Sequence, residues 1–357
     1  MKTVLITGGL GFIGSAVARH LMTTTDHKVV VYDSLTYAAM PEALAQFSGD
    51  IRYSFERGDI CDFSHFRQVL DTHRPFIVMH LAAESHVDRS IDGPVQFVKT
   101  NVLGTVQVLQ ACRSYFDSLP SLAQSQFRMH HISTDEVFGS LQPEDPAFTE
   151  LNRYNPRSPY AASKAASDHF VRAWGETYGL PVVLSNCSNN YGPWQFPEKL
   201  IPLMIANGID QKPLPIYGTG ENIRDWLHVD DHAEALWLVA TRGKLGNNYN
   251  VGGASEQSNL AVVHEICNVL DQTFPDRSAH KELITFVEDR PGHDFRYAVN
   301  FEHIQRELGW YPRHKFKTGL VETVKWYLEN ETWWRSILEK TNGTNRLGLA
   351  KNNTLKK

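Results

Sequence analysis

The sequence predicts an α/β fold, a doubly wound parallel sheet followed by a smaller C-terminal α/β lobe. Three observations carry this. β-Branched runs alternate with helical stretches through the first 190 residues, the first run breaks into a glycine turn that opens straight into a helix, and past Tyr191-Gly192-Pro193 the punctuation changes to Pro- and Gly-rich loops between shorter apolar segments. Strands alternating with helices require parallel pairing through right-handed crossovers.

In chain order, Thr3-Val4-Leu5-Ile6-Thr7 is a short β-branched run ending in glycines, after which Phe12, Ile13, Ala16, Val17, His20 and Leu21 recur at helical spacing. Val29-Val30-Val31-Tyr32 is a second strand ending at Asp33, which completes a βαβ unit. Further strands are expected at Ile51 to Phe55, Phe76 to Leu81, Arg128 to Ile132 and Val182 to Ser185, separated by helices at 62–72, 95–116 and 158–178. Helices are expected near 199–207, 230–242, 259–272 and 318–329 in the second part. The expected division is 1–190 for the first domain, 191–340 for a lobe interleaved with it, and 341–357 for a polar tail too poor in apolar residues to pack.

Composition sets the class. With 357 residues, 42% hydrophobic and 21% charged, the chain can bury a substantial core. Net charge is −5 and no long basic block occurs, which argues against nucleic acid as a partner. Cys61, Cys112, Cys187 and Cys267 form no C-x-x-C pair, so reduced thiols are expected rather than a disulfide framework or a zinc knuckle. The apolar run at the start is too short for a signal peptide, and no stretch reaches the roughly 20 residues that span a bilayer. A soluble, cytoplasmic protein is the expectation. Sixteen histidines show no H-E-x-x-H or related spacing, and no metal is expected.

Gly8, Gly11 and Gly14 stand at G-x-x-G-x-x-G spacing between a strand and a helix. Glycine lets the backbone turn sharply and approach a pyrophosphate, whose charge is favoured by free N–H groups at the helix N-terminus. The third glycine lets the helix lie close on the strand, as in a Rossmann-type dinucleotide site. Asp33, at the end of the second strand, can accept from adenosine ribose hydroxyls and would repel a 2′-phosphate, which favours NAD over NADP. Asp59-Ile60, after Gly58, is the expected place for contacts to adenine.

Tyr160 and Lys164 are spaced i, i+4 on a predicted helix, so their side chains share a face. A neighbouring ammonium favours the phenolate and would bring tyrosine into range as a base. Upstream, Ser133-Thr134-Asp135-Glu136 sets two carboxyls side by side; their mutual repulsion can leave one protonated acid and one ionised base at the same pH. Adjacent strand residues point to opposite faces, so both can reach one substrate only if the chain is irregular there; a loop at the strand's carboxyl end is expected.

Together with Leu81-Ala82-Ala83-Glu84-Ser85-His86-Val87-Asp88-Arg89-Ser90, Asn186-Cys187-Ser188-Asn189-Asn190-Tyr191-Gly192-Pro193 and Asp289-Arg290-Pro291-Gly292-His293, these segments make the chain resemble the extended short-chain dehydrogenase/reductase family, and within it the 4,6-dehydratases acting on dTDP-glucose. The resemblance runs from about Lys2 to about Leu328. It implies NAD as cofactor and a homodimer formed through the helices around 95–116 and 158–178. It implies Tyr160 as the base at O4, assisted by Lys164, Glu136 as the base at C5, Asp135 as the acid at the C6 hydroxyl, and Thr134 with Ser133 as hydrogen-bonding partners of the sugar. Cofactor contacts are implied at Phe12, Ile13, Leu81, Ala82, Ala83, Ser85, Thr100 and Asn190. Substrate contacts are implied at Ser85, Thr134, Asn189, Lys199, Leu200, Pro215, Ile216, Tyr217, Arg224 and Asn259, and at Asp289, Arg290 and His293. Arg224 and Arg290 are candidates for the diphosphate, which a guanidinium can grip bidentately. Ser34, Phe138 and Ala39-Met40 depart from the family's usual Lys, Tyr and Gly-Asn. A sugar-nucleotide 4-epimerase, a 4,6-dehydratase for another nucleotide sugar, and a non-catalytic NAD-binding module remain as alternatives.

Overall fold

A computed structural model describes residues 1–340; the predicted polar tail 341–357 lies outside the described residues. The centre is a seven-stranded, wholly parallel sheet of Rossmann type. Its strands are β1 (Thr3–Thr7), β2 (Lys28–Asp33), β3 (Tyr53–Arg57), β4 (Ile77–His80), β5 (Arg128–Thr134), β6 (Val182–Cys187) and, across a short β7 (Asn189–Tyr191), β8 (Leu214–Tyr217) and β9 (Ile223–His228), the late strand β10 (Asn248–Val251). The spatial order is β10-β6-β5-β4-β1-β2-β3, so the direction of winding reverses between β1 and β4. That reversal opens a crevice at the carboxyl ends of the strands.

Burial of both sheet faces explains the nearly continuous apolar strands. One face is covered by helices Phe63–His73, Thr105–Ser118 and Pro159–Tyr178, around Phe66, Leu70, Val108, Leu109 and Val171. The other is covered by helices Phe12–Thr24 and Val229–Arg242, around Val17, Leu21, Ala233 and Leu236. The second half of the chain therefore supplies both a helix and a strand to the first sheet. A separate core around Ile205, Ile266, Leu270, Val324 and Trp334 holds together helices Leu200–Ile209, Asn259–Thr273 and Phe316–Glu329, with two small sheets beside it. Those sheets are β11 (Glu256–Ser258) with β9 and β7, and β12 (Ile284–Val287) with β8.

Two expectations about elements need correction. The strand foreseen at 51–55 begins only at Tyr53, because Ile51 is exposed and Arg52 turns away to bond Asp50 and the carbonyls of Thr25 and Met22. The helix foreseen over 95–116 is interrupted by a π-helical stretch, Val98–Gly104, before Thr105–Ser118 resumes as α-helix.

Candidate active site

The catalytic candidates come from two neighbouring elements. Helix Pro159–Tyr178 starts where Ser158 caps Ala161 N–H at 3.0 Å with Pro159 in the first turn, and stops at Gly179 in the left-handed region. Tyr160 and Lys164 stand on its first turns, both buried, and the Lys164 Nζ donates to the Ile132 carbonyl at 2.8 Å. β5 runs beside it in register with β6, Ser133 opposite Asn186 and Thr134 opposite Cys187. Directly after Thr134 the chain coils into a single 3-10 turn, Asp135–Phe138, capped by Thr134, whose Oγ1 accepts from Glu136 N–H at 3.3 Å. The expected irregularity is thus a 3-10 turn rather than a loop, and it aims Asp135 and Glu136 into one cavity.

That cavity, of about 420 Å³, lies along the carboxyl ends of the strands. From the first βαβ unit it is walled by Gly8, Gly11, Phe12, Ile13, Gly14 and Asp33, and from the segment after β3 by Asp59 and Ile60. The segment after β4 contributes Leu81, Ala82, Ala83 and Ser85, and the π-helical stretch Thr100. The remaining wall includes Ser133, Thr134, Asp135, Glu136, Tyr160, Lys164, Asn189, Asn190, Lys199 and Leu200.

The geometry of the glycine turn suits a dinucleotide. Gly8 has φ +67°, and a Cβ there would sit 2.7 Å from Ala82 Cα; a Cβ on Gly14 would sit 2.1 Å from the Gly8 carbonyl oxygen. Only bare backbone allows the turn, the helix start and the β4 loop to approach this closely. Asp33 braces the turn from the next strand: Leu10 N–H donates to its Oδ2 at 3.1 Å and Leu35 N–H to its Oδ1 at 2.9 Å. Each of those oxygens keeps a further lone pair for a ribose hydroxyl.

The electrostatics separate the carboxyls. Burial, then the adjacent Glu136, push Asp135 well above the ordinary carboxyl range. Its Oδ2 is buried without a hydrogen-bond partner. Glu136 is raised by burial but pulled back by Arg290, Arg224 and Lys199, so it is the easier of the two to ionise. Tyr160 is held well above the usual phenol value by burial and by Glu136, with the Thr134 hydroxyl working the other way. The protein by itself therefore does not bring this phenol into range; the cationic nicotinamide of an oxidised cofactor would act in that direction.

Ser133 lines the cavity, and its Oγ donates to Asp168 at 2.8 Å, so the hydroxyl proton is engaged on the protein side. Several other candidates lie beyond the wall. Arg224 is buried, with its guanidinium donating to the carbonyls of Ile223, Asp294 and Phe295, and Arg290 donates to Asp88 at 2.9 Å. Tyr217 also donates to Asp88, at 2.9 Å, and His293 pairs with Asp289 at 2.6 Å. Pro215 and Ile216 belong to β8, and Asn259 opens a helix at the edge of the second core. Phe138 stacks on Phe148, with centroids 5.2 Å apart, and meets Tyr154 edge-on. Two residues escaped the sequence reading. Asp88 lies inside a quoted motif, and Asp168 continues the i, i+4 series from Tyr160 and Lys164. Among the described residues no cluster of three or more His, Cys, Asp or Glu side chains could hold a metal, and no helix is long and apolar enough to cross a membrane.

Comparison with known proteins adds an independent finding. The family described as GDP-mannose 4,6 dehydratase matches residues 5–323. The dTDP-glucose 4,6-dehydratase of Neisseria meningitidis serogroup B is 54% identical over 355 residues, covering 98% of this chain and 100% of the relative. The dTDP-glucose 4,6-dehydratase 1 of Escherichia coli K12 is 54% identical over 338 residues, covering 92% of this chain and 94% of that one. Among solved structures, the dTDP-glucose 4,6-dehydratase DesIV from Streptomyces venezuelae, with NAD bound, has a TM-score of 0.86 at 42% identity over 94% of this chain and 99% of that one.

Proposed function

The chain belongs to the GDP-mannose 4,6 dehydratase family, and from that premise we propose that it is an NAD-dependent hydro-lyase converting dTDP-glucose to dTDP-4-keto-6-deoxyglucose, an early step toward deoxysugars. One observation carries the reading: the 3-10 turn after β5 sets an acidic Asp135 and an ionisable Glu136 in the same cavity as Tyr160, Lys164 and the glycine turn.

Gly8, Gly11 and Gly14 would receive the pyrophosphate of NAD, and Asp33 its adenosine ribose. Bound there, NAD supplies a hydride acceptor for C4 of the sugar and later a hydride donor for C6. Tyr160 takes the proton from O4 as the 4-ketone forms, with the Lys164 ammonium favouring the phenolate. The ketone acidifies the adjacent C5–H, which Glu136 removes as a carboxylate. Asp135 delivers its proton to the C6 hydroxyl, so that water leaves rather than hydroxide. Glu136 returns a proton to C5 as C6 is reduced.

An epimerase would use Tyr160 and NAD but has no task for an acid and base at C5 and C6. A binding module has no use for either pair. Chromatography with mass detection after incubation with dTDP-glucose separates the readings: a product lighter by one water supports dehydration, an isobaric product resolved from the substrate an epimerase, and unchanged sugar a binder. Four unpaired cysteines support a cytoplasmic setting. Exposed Val95, Val98, Leu103 and Phe170 support a homodimer through the 95–116 and 158–178 regions.

A further inference from the structure

The steps above leave one fully buried charged group without a task. Asp168 has no exposure, and it stands one helical turn beyond Lys164 and two beyond Tyr160. Its Oδ1 lies 3.1 Å from His131 Nε2; its Oδ2 accepts from Ser133 Oγ at 2.8 Å and from Tyr154 Oη at 2.9 Å, with Asn186 Nδ2 at 3.5 Å. Asn186 Nδ2 also donates to the Thr134 carbonyl at 2.8 Å. One carboxylate thus gathers β5, β6, the segment before the helix, and the helix itself, at the point where β5 gives way to Asp135 and Glu136.

We propose that Asp168 is a positioning residue for the reaction: its buried carboxylate keeps Lys164 charged and ties the strand end that carries Thr134, Asp135 and Glu136 to the helix that carries Tyr160. This deepens the proposed function, since Lys164 acts there through Tyr160.

The surroundings identify Asp168 as the counter-charge. Lys164 faces Asp168 on its own helix, His131 on β5, Cys187 on β6 and His80 on β4, and shares the cavity wall with Tyr160. Burial and the neighbouring positive charges lower the affinity of His80 and His131 for a proton, with Asp168 working the other way on His131, and burial pushes the Cys187 thiol up to about 12. Asp135 and Glu136 face Tyr160. Asp168 is held below the ordinary carboxyl range by its bonds to His131 and Ser133 despite its burial; burial lowers the affinity of Lys164 for its proton, and Asp168 is the foremost group opposing that. No direct contact links the two; the carboxylate acts through space in a low-dielectric interior, where an uncompensated ammonium is costly.

The test follows the charge itself in the NAD-loaded protein. Lysines labelled with ¹³C at Cε report their protonation by NMR, and Lys164→Arg assigns the resonance. In Asp168→Asn the Lys164 midpoint should fall by about one pH unit, a ten-fold smaller ammonium-to-amine ratio at a given pH. Asp168→Glu should restore it, and Tyr154→Phe, which removes a hydrogen bond but no charge, should leave it in place. An unshifted midpoint in Asp168→Asn overturns the proposal. Where Asp168→Asn is too unstable to titrate, thermal melts of Asp168→Asn, Lys164→Met and the double variant decide. Removal of both charges should recover much of the loss caused by Asp168→Asn, whereas simple additivity overturns the proposal. Neither readout uses substrate, so its outcome is independent of which nucleotide sugar is turned over.

Discussion

Gly14→Ala puts the account of the cofactor site under the most defined strain. The added methyl would lie 2.1 Å from the Gly8 carbonyl oxygen and 2.8 Å from Gly9 Cα. Both obstacles are backbone of the turn that must face the pyrophosphate, so no side chain can swing aside. Relief requires helix Phe12–Thr24 to move by about 1 Å from β1, toward ordinary contact distance. Overpacking of this kind costs about 1–3 kcal/mol, which at roughly 2 °C per kcal/mol for a large domain lowers the melting temperature by about 2–6 °C. The same shift displaces the N–H groups at the helix start, and NAD affinity should fall about ten-fold or more, since 1.4 kcal/mol is a factor of ten. Thermal melts and equilibrium dialysis with NAD measure both effects. Gly49→Ala is the control, because a Cβ there meets nothing within 4 Å. If Gly14→Ala melted within a degree of the parent and bound NAD within three-fold of it, the close-approach argument would be wrong.

The remaining predictions concern the reaction and its pH dependence. Asp135→Asn should still form NADH on mixing with dTDP-glucose but lose water about 10²–10⁴-fold more slowly, and an unimpaired rate of dehydration would remove its role as acid. Because burial and Glu136 raise the folded-state pKa of Asp135, the unfolded chain releases that proton first as pH rises. Stability therefore declines from the ordinary carboxyl range upward until the folded group ionises, and denaturant titrations of Asp135→Asn should show a flatter decline. Tyr160→Phe should give no NADH absorbance in rapid mixing; a normal transient would contradict proton removal from O4. Asp88→Asn loosens both Arg290 and Tyr217, which share its carboxylate, and should raise KM for the nucleotide sugar about ten-fold with a smaller effect on kcat. Unchanged KM would separate that cluster from substrate binding.

The strand-helix alternation was legible because both sheet faces are buried and the apolar runs stand out against polar turns. The π-helical interruption was not, since its apolar residues keep helical spacing. Within it, buried Asn101 accepts from Glu84 N–H and donates to the Glu84 carbonyl and to Ser163, a network that periodicity does not register. The pairing of Asp135 with Glu136 stood out in the sequence, whereas the 3-10 turn that lets both face one cavity depends on the Thr134 cap. The gathering of Tyr217 and Arg290 on Asp88 joins segments more than a hundred residues apart, and the hub at Asp168 joins two strands, a loop and a helix. Such junctions depend on tertiary packing. Only the i, i+4, i+8 series from Tyr160 through Lys164 to Asp168 left a trace along the chain.

The central claim is that one hydride is taken from C4 and returned to C6 within a single bound cofactor. Turnover of dTDP-glucose carrying deuterium at C4, in ordinary water, tests this directly. The label should appear in the new methyl group at C6. Its loss to solvent, or its retention at C4, would contradict the account.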